Sequence, residues 1–354
     1  MWKLGLYVSK IFLARWAVTI FGMVVLVGLL DSLANASEIA ASGVEGGALR
    51  YMRLRAPIIF DQVFLFTLML ALLLTFVSLI RRNELVALQG MGLSVFAQIR
   101  ALGPAVLIVS FVSMFIIDRG VPPSVQELND WGIGEYGGEI LENGEKLWLN
   151  DKGLFVSIER RDGRDALAGV TFFQRDADGY VRGVTWADRV EFQGNGLWSL
   201  EGTSFLEVEG ITEPVAQLTQ WDTEQTPVVI DKLAAEPRNL SIADLQDLAS
   251  LRGSGSRPSA AYSVWRMKRL SLPLSGLALL LVAAPIMQRL GRRDSGTGAL
   301  IIGIGATFLF LIIDGIAVTM GAAGAFPVWP SALLITVGFG GLGLYLWLRQ
   351  EVLA

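Results

Sequence analysis

The chain has 354 residues, 53% of them hydrophobic and only 18% charged, against about 25% charged in an ordinary soluble protein. Cysteine and histidine are both absent, which excludes disulfides, thiolate chemistry and Cys- or His-ligated metals and removes the usual general base. No Gly-Lys dipeptide occurs, so there is no Walker-type phosphate loop, and nucleotide energy would have to be drawn through another subunit.

The charge is unevenly placed. Residues 118–257 hold 25 acidic and 13 basic side chains, a net of −12, while the remainder holds 8 and 16, a net of +8. An acidic soluble segment is therefore inserted into a membrane protein with basic flanks.

In chain order, the apolar runs come first. A helix that crosses a hydrocarbon core of about 30 Å takes roughly 20 apolar residues. Three such runs, 11–30, 58–80 and 101–117, precede the acidic segment, and three more, 270–287, 299–320 and 328–348, follow it. The first run is too long for a signal peptide, and Leu30-Asp31-Ser32-Leu33 lacks a small-residue cleavage pattern, so it reads as a retained span. Pro104 is expected in the first turn of the third span, or as a kink in it.

Between the second and third runs lies Arg81-Arg82-Asn83-Glu84-Leu85-Val86-Ala87-Leu88-Gln89-Gly90-Met91-Gly92-Leu93-Ser94. Leu85 and Leu88 share one face of a short helix near 82–94, Gly90 and Gly92 interrupt it, and Glu84 offers a carboxylate to solvent. Two readings stand: an ordinary loop with positive-inside arginines, or a helix that docks in a groove of a cytosolic partner.

The acidic segment reads as β-rich. Residues 155–160 and 170–173 suggest strands, with a turn at Asp176-Ala177-Asp178-Gly179. A hairpin is predicted where Val190-Glu191-Phe192 meets Leu197-Trp198-Ser199-Leu200 across Gly194-Asn195-Gly196, and 205–209 alternates again. Several short strands at close spacing suggest an antiparallel sandwich or jelly roll. Ser241 is placed to cap a helix, and Gly253-Ser254-Gly255-Ser256 reads as a flexible return link.

Counting basic residues near span ends gives ten on the side of the N-terminus and six opposite. Both termini are thus expected in the cytoplasm and the acidic domain outside. The six outer cations, Arg50, Arg53 and Arg55 before span two and Arg266, Lys268 and Arg269 before span four, suit lipid phosphates or plain interfacial anchoring. Asp314, inside span five, is costly in hydrocarbon, and either serves transport or bonds a neighbouring helix. Arg15 lies near enough to the inner surface to snorkel. The Gly338-Phe339-Gly340-Gly341-Leu342-Gly343 string spells a dinucleotide fingerprint, but with no strand before it, it reads as a close helix-packing surface.

The stretch Arg82-Asn83-Glu84-Leu85-Val86-Ala87-Leu88-Gln89-Gly90-Met91-Gly92-Leu93-Ser94 resembles the coupling-helix motif of the lipopolysaccharide-export permeases, the LptF/LptG family, and is closer to the LptG type. The resemblance extends to Val121-Pro122-Pro123 just after span three, the Arg292-Arg293 turn, and Gly324-Ala325-Phe326-Pro327 before span six. It implies an α-helical inner-membrane protein with six transmembrane helices (3 + 3) and an inserted periplasmic antiparallel β-jelly-roll domain. The expected divisions are 1–117, 118–265 and 266–354. It also implies an ATP-driven exporter that extracts lipopolysaccharide and passes it to a periplasmic bridge. The implied partners are a paralogous permease in a heterodimer, a cytoplasmic ATPase dimer, and a single-span accessory protein with a periplasmic jelly roll. No nucleic acid is implied. The chain itself would be non-catalytic and bind no cofactor, with ATP and Mg used by the ATPase. Glu84 matches the acid that meets a basic residue of the ATPase, supported by Arg82, Leu85, Leu88 and Gly90; the substrate path would involve the six outer cations and Asp314. Family members often carry lysines near the outer end of span one, whereas residues 28–35 here offer only Asp31, a gap the arginines before span two would fill. Two other readings are a proton-driven secondary transporter using Asp314 and a membrane-anchored scaffold.

Overall fold

A computed structural model describes residues 2–84, 95–134, 146–151, 153–163, 165–176, 179–207, 216–250, 255, 257–290 and 297–352. Helices α1 (Trp2–Ala34), α2 (Ala36–Ala41), α3 (Gly47–Arg81) and α4 (Val95–Trp131) come first. Strands β1 (Leu147–Asp151), β2 (Leu154–Arg161), β3 (Ala166–Arg175), β4 (Val181–Gly194), β5 (Leu197–Glu207) and β6 (Gln220–Asp222) follow, then α5 (Pro227–Ala234) and α6 (Ile242–Ser250). The chain ends with α7 (Ser259–Leu270), α8 (Leu272–Leu290), α9 (Thr297–Ala322) and α10 (Val328–Val352). Two compact units result, residues 1–125 with 263–354, and residues 126–262.

In the first unit, α1, α3, α4, α9 and α10 are each long and apolar enough to cross a membrane, and α7 with α8 passes the same test as a pair bent by 56°. Counted with that pair as one span, there are six among the described residues. Three local expectations need correction. Val121-Pro122-Pro123 does not follow the third span but lies inside α4, which continues to Trp131. Proline fixes φ near the helical value, so the axis continues although two amide donors are missing from the helix ladder. Pro104 likewise sits within α4 rather than in its first turn. Arg15 does not snorkel: its guanidinium donates to the Leu74 carbonyl of α3.

The glycine string in α10 does bring helices close. A Cβ on Gly343 would stand 2.5 Å from the carbonyl carbon of Leu281, so α8 and α10 meet there backbone to backbone. Gly338 and Gly341 of the same string face open space.

In the second unit, the six strands form one antiparallel sheet in chain order, β1 to β6. The inserted antiparallel β domain is as expected. Its described strands lie in one curled antiparallel sheet in sequential order. Local chemistry explains much of the order, because β1 to β5 follow one another after connections of only a few residues, whereas twelve residues separate the end of β5 from the start of β6. Gly194-Asn195-Gly196 takes φ of +94°, +52° and +80°, which only glycine and asparagine accept readily, and brings Phe192 opposite Trp198. At the β3–β4 turn the Asp176 carboxylate accepts from the Tyr180 amide at 2.8 Å.

The core of this unit is aromatic. Trp198 and Trp221 are almost wholly buried with ring centroids 5.8 Å apart, Phe172 meets Trp221 edge-on, and the Trp198 indole donates to the Gln225 carbonyl. Ile230 and Leu233 of α5, and Leu245 and Leu248 of α6, are buried too. Ser241 caps α6 as expected, its hydroxyl accepting from the Asp244 amide at 3.1 Å. Of the return link 253–256, all but Gly255 lies outside the described residues.

Candidate functional site

Three places in the chain bear on the expected function, and each is built differently. The first is the turn after α3. Helix α3 ends at Arg81, and Asn83 turns the chain with φ of +57°. Glu84 then follows, its side chain 29% exposed and that of Arg82 63% exposed. The Tyr7 hydroxyl of α1 donates to the Glu84 carboxylate at 3.0 Å, and the Arg82 guanidinium stands 3.9 Å from it. Glu84 is thus half-buried and oriented by a residue 77 positions earlier in the chain. Leu85, Leu88 and Gly90, and with them most of the coupling helix near 82–94, lie outside the described residues.

The second place is the set of outer cations, which the structure does not gather into one basic surface. On α3, Arg53 is exposed and Arg50 half-buried, while Arg55, two positions on and on the opposite face, is buried. Its Nε donates to the Asp31 carboxylate of α1 at 2.6 Å. Asp31, the lone charge near the outer end of span one, is therefore the counter-ion of a candidate substrate residue. On α7, Lys268 donates to Asp314 of α9 at 2.5 Å, with both side chains 9% exposed, and its ammonium lies 5.8 Å from the Phe310 ring. The neighbouring Arg269 lies 3.9 Å from Asp118 of α4. Arg266 is half-buried. Of the seven residues expected on the substrate path, Arg55, Lys268, Arg269 and Asp314 thus form ion pairs between helices. Opposite charges in a low-dielectric setting attract strongly but must recover a large desolvation cost, so such pairs fix geometry more than they add stability. The Lys268 partner of Asp314 also realises the neighbouring-helix reading of that acid.

The third place is a face of the sheet that sequence reading did not resolve by residue. Across β1–β4, Leu149, Val156, Phe172 and Thr185 stand in register on one side and are buried. On the other side Phe155, Phe173, Val184 and Leu206 form a row across β2–β5, in which Val184 is buried and Leu206 is 56% exposed. Trp148 packs on Phe173 at 5.6 Å and Trp186 lies beside the row, each more than 40% exposed. Strands whose two faces are both apolar carry one face that the domain's own core does not use. The signal was present in Phe155-Val156-Ser157-Ile158, where alternation is loose because both faces hold apolar residues.

Three carboxylates of the insert, Asp176, Asp231 and Asp244, are shifted from their ordinary values by their surroundings, the first of them downward. Burial pushes Asp231 of α5 up to about 6; Arg161, bound at 2.9 Å, opposes this and Asp130 reinforces it. Burial also raises Asp244, but hydrogen bonds from Lys232 and Ser241 outweigh it and hold that carboxyl below its usual range.

Comparison with known proteins follows this layout. Residues 6–349 match the family described as lipopolysaccharide export system permease LptF/LptG. The chain is 25% identical over 360 residues to the lipopolysaccharide export system permease protein LptG of Escherichia coli strains K12 and O6:H1, covering 98% of each chain. It is 23% identical over 274 residues to the LptG of Haemophilus influenzae, covering 76% of each. The apolar spans, the inserted antiparallel sheet and a match over almost its entire length lead to one conclusion: this chain is a multi-pass inner-membrane protein that belongs to the lipopolysaccharide export permease family LptF/LptG, on the LptG side.

Proposed function

We propose that the chain is one transmembrane subunit of an ATP-driven exporter that draws lipopolysaccharide from the inner membrane and hands it to a periplasmic bridge. The observation that carries this reading is the family match over residues 6–349, which takes in both the spans and the sheet with its half-exposed apolar row. In this reading both termini face the cytoplasm and the sheet lies in the periplasm. The row Phe155, Phe173, Val184 and Leu206, with Trp148 and Trp186, offers acyl chains a surface on which burial is worth about 25 cal/mol per Å².

The subunit is non-catalytic and holds no cofactor of its own. A paralogous permease completes the membrane pair, an ATPase dimer using ATP and Mg docks below, and a single-span protein with its own periplasmic jelly roll extends the bridge. Glu84 passes the motion of the ATPase to the spans, and its bond from Tyr7 ties that input to α1. The exposed Arg53 remains a candidate for lipid phosphates. A proton-driven transporter is the second reading, and the ion pair of Asp314 with Lys268 gives that acid a structural role within the subunit instead.

The test is an affinity pull-down of the tagged chain from solubilised native membranes, with Glu84→Lys in parallel. A second six-span permease and an ATPase should co-purify, and the substitution should strip away the ATPase. Recovery of the chain alone, under conditions that keep other membrane complexes intact, would overturn the exporter reading. Undiminished ATPase recovery with Glu84→Lys would remove Glu84 from coupling.

A further inference from the structure

The break in span four has a cause that can be read in its sequence. In Leu270-Ser271-Leu272-Pro273, the proline has no N–H to give the Arg269 carbonyl, so the hydrogen-bond ladder is interrupted there. Helix α7 therefore stops at Leu270 and α8 restarts at Leu272, at 56°. The Ser271 hydroxyl donates to the Lys268 carbonyl at 2.9 Å, and Ser275 meets Thr336 of α10 at 3.2 Å.

The last turn before this elbow holds two consecutive cations, and successive residues on a helix point about 100° apart. Lys268 and Arg269 therefore reach different neighbours. Lys268 takes Asp314 of α9 and Arg269 faces Asp118 of α4, both cations almost fully buried. A proline alone would leave the elbow free to vary in angle, because it removes a bond without adding a contact. The Lys268–Asp314 ion pair ties the elbow to α9, and the Arg269 guanidinium faces Asp118 of α4 from 3.9 Å.

We propose that the α7–α8 elbow is a positioning device for transport, with Lys268–Asp314 and Arg269–Asp118 as its latches, so that α4 and α9 move with α7 as one body. Lys268 and Asp314 are positioning residues and need touch no lipid. The proposal rests on the transport reading above. It goes beyond it by assigning work to an ion pair inside one subunit. Its energetic basis is that replacing a buried ion pair by apolar side chains of similar size is often neutral or stabilising. A pair retained only for stability is then replaceable, and a pair that sets geometry is not.

The chain has no cysteine, so single spin labels can be placed cleanly at Leu270→Cys on α7 and Ile316→Cys on α9, which are 48% and 56% exposed. The full chain in lipid nanodiscs should give a narrow label–label distance. Lys268→Met with Asp314→Leu should keep the yield and thermal transition of the parent but broaden that distance. Lipopolysaccharide release from proteoliposomes, carrying the chain with its co-purified permease and ATPase, should fall roughly tenfold, within the range of ordinary allosteric coupling. The exchanged pair Lys268→Asp with Asp314→Lys should restore both. Wild-type release from the apolar variant, or a distance as narrow as the parent's, overturns the proposal. If the apolar pair does not accumulate, Asp314→Asn is measured instead, and an unchanged distance overturns it equally. The distance needs no partner subunit, whereas failure of the parent chain itself to release lipopolysaccharide would strike the transport reading alone.

Discussion

Replacing Asp231 by Asn is expected to remove a pH dependence that the β unit otherwise shows between about pH 4 and pH 7. The carboxyl sits on α5 with Arg161 at 2.9 Å, and burial moves it from 3.8 up to about 6. Between those values the folded chain holds a proton that the unfolded chain has lost. Stability from this site is therefore complete below the ordinary carboxylate value and is lost as pH rises through about 6. A displacement of this size corresponds to at most about 3 kcal/mol. The side chain is 29% exposed, so screening reduces the expected effect to about 1–2 kcal/mol. No histidine is present to titrate in the same window, and Asp244, held below its usual range, acts only at lower pH. The assay is amide exchange of α5 in the full chain in nanodiscs, at pH 5 and pH 7.5, corrected for intrinsic exchange rates. Wild type should be better protected at the lower pH, and Asp231→Asn should be equally protected at both. Equal protection in wild type, or the same slope in the variant, would refute the reasoning.

Arg55→Ala, which leaves the Asp31 carboxylate without that cation, should cost about 3–5 kcal/mol and lower the melting transition in detergent. Asp31→Leu with Arg55→Met should restore most of it. Gly343→Ala forces a Cβ into the Leu281 carbonyl and should destabilise by about 1–3 kcal/mol through separation of α8 and α10, which thermal unfolding would register. Trp198→Phe loses the indole bond to the Gln225 carbonyl and should cost about 1–3 kcal/mol; denaturant unfolding of the full chain would sink this if its midpoint did not move.

The local features of this protein are legible in its sequence because their causes are local. Span number follows from hydropathy over about twenty residues. The β4–β5 hairpin follows from three residues that accept positive φ and the cap of α6 from Ser241, whereas hydropathy reads span four as one continuous run across its break. The cost of a carboxylate at Asp314 and the oddity of Asp31 were also visible, since each is a charge in an apolar run. Their partners were not. Lys268 lies 46 residues before Asp314, and Arg55 lies 24 residues after Asp31, and neither separation belongs to a periodicity that a single sequence can show. Reading the outer arginines and lysine as one lipid-facing group followed from counting charges by membrane side. The direction of each side chain depends on how its helix is rotated, and packing against neighbours sets that rotation. The same holds for the sheet, where strand propensity marks Phe155 and Phe173, but only the register puts them in one half-exposed row. Sequence by itself determined which segments become helix, strand and turn, because those choices minimise free energy over a few residues. The tertiary structure alone decided which charges neutralise each other and which apolar face stays open, because those energies exist only between segments that folding has brought together.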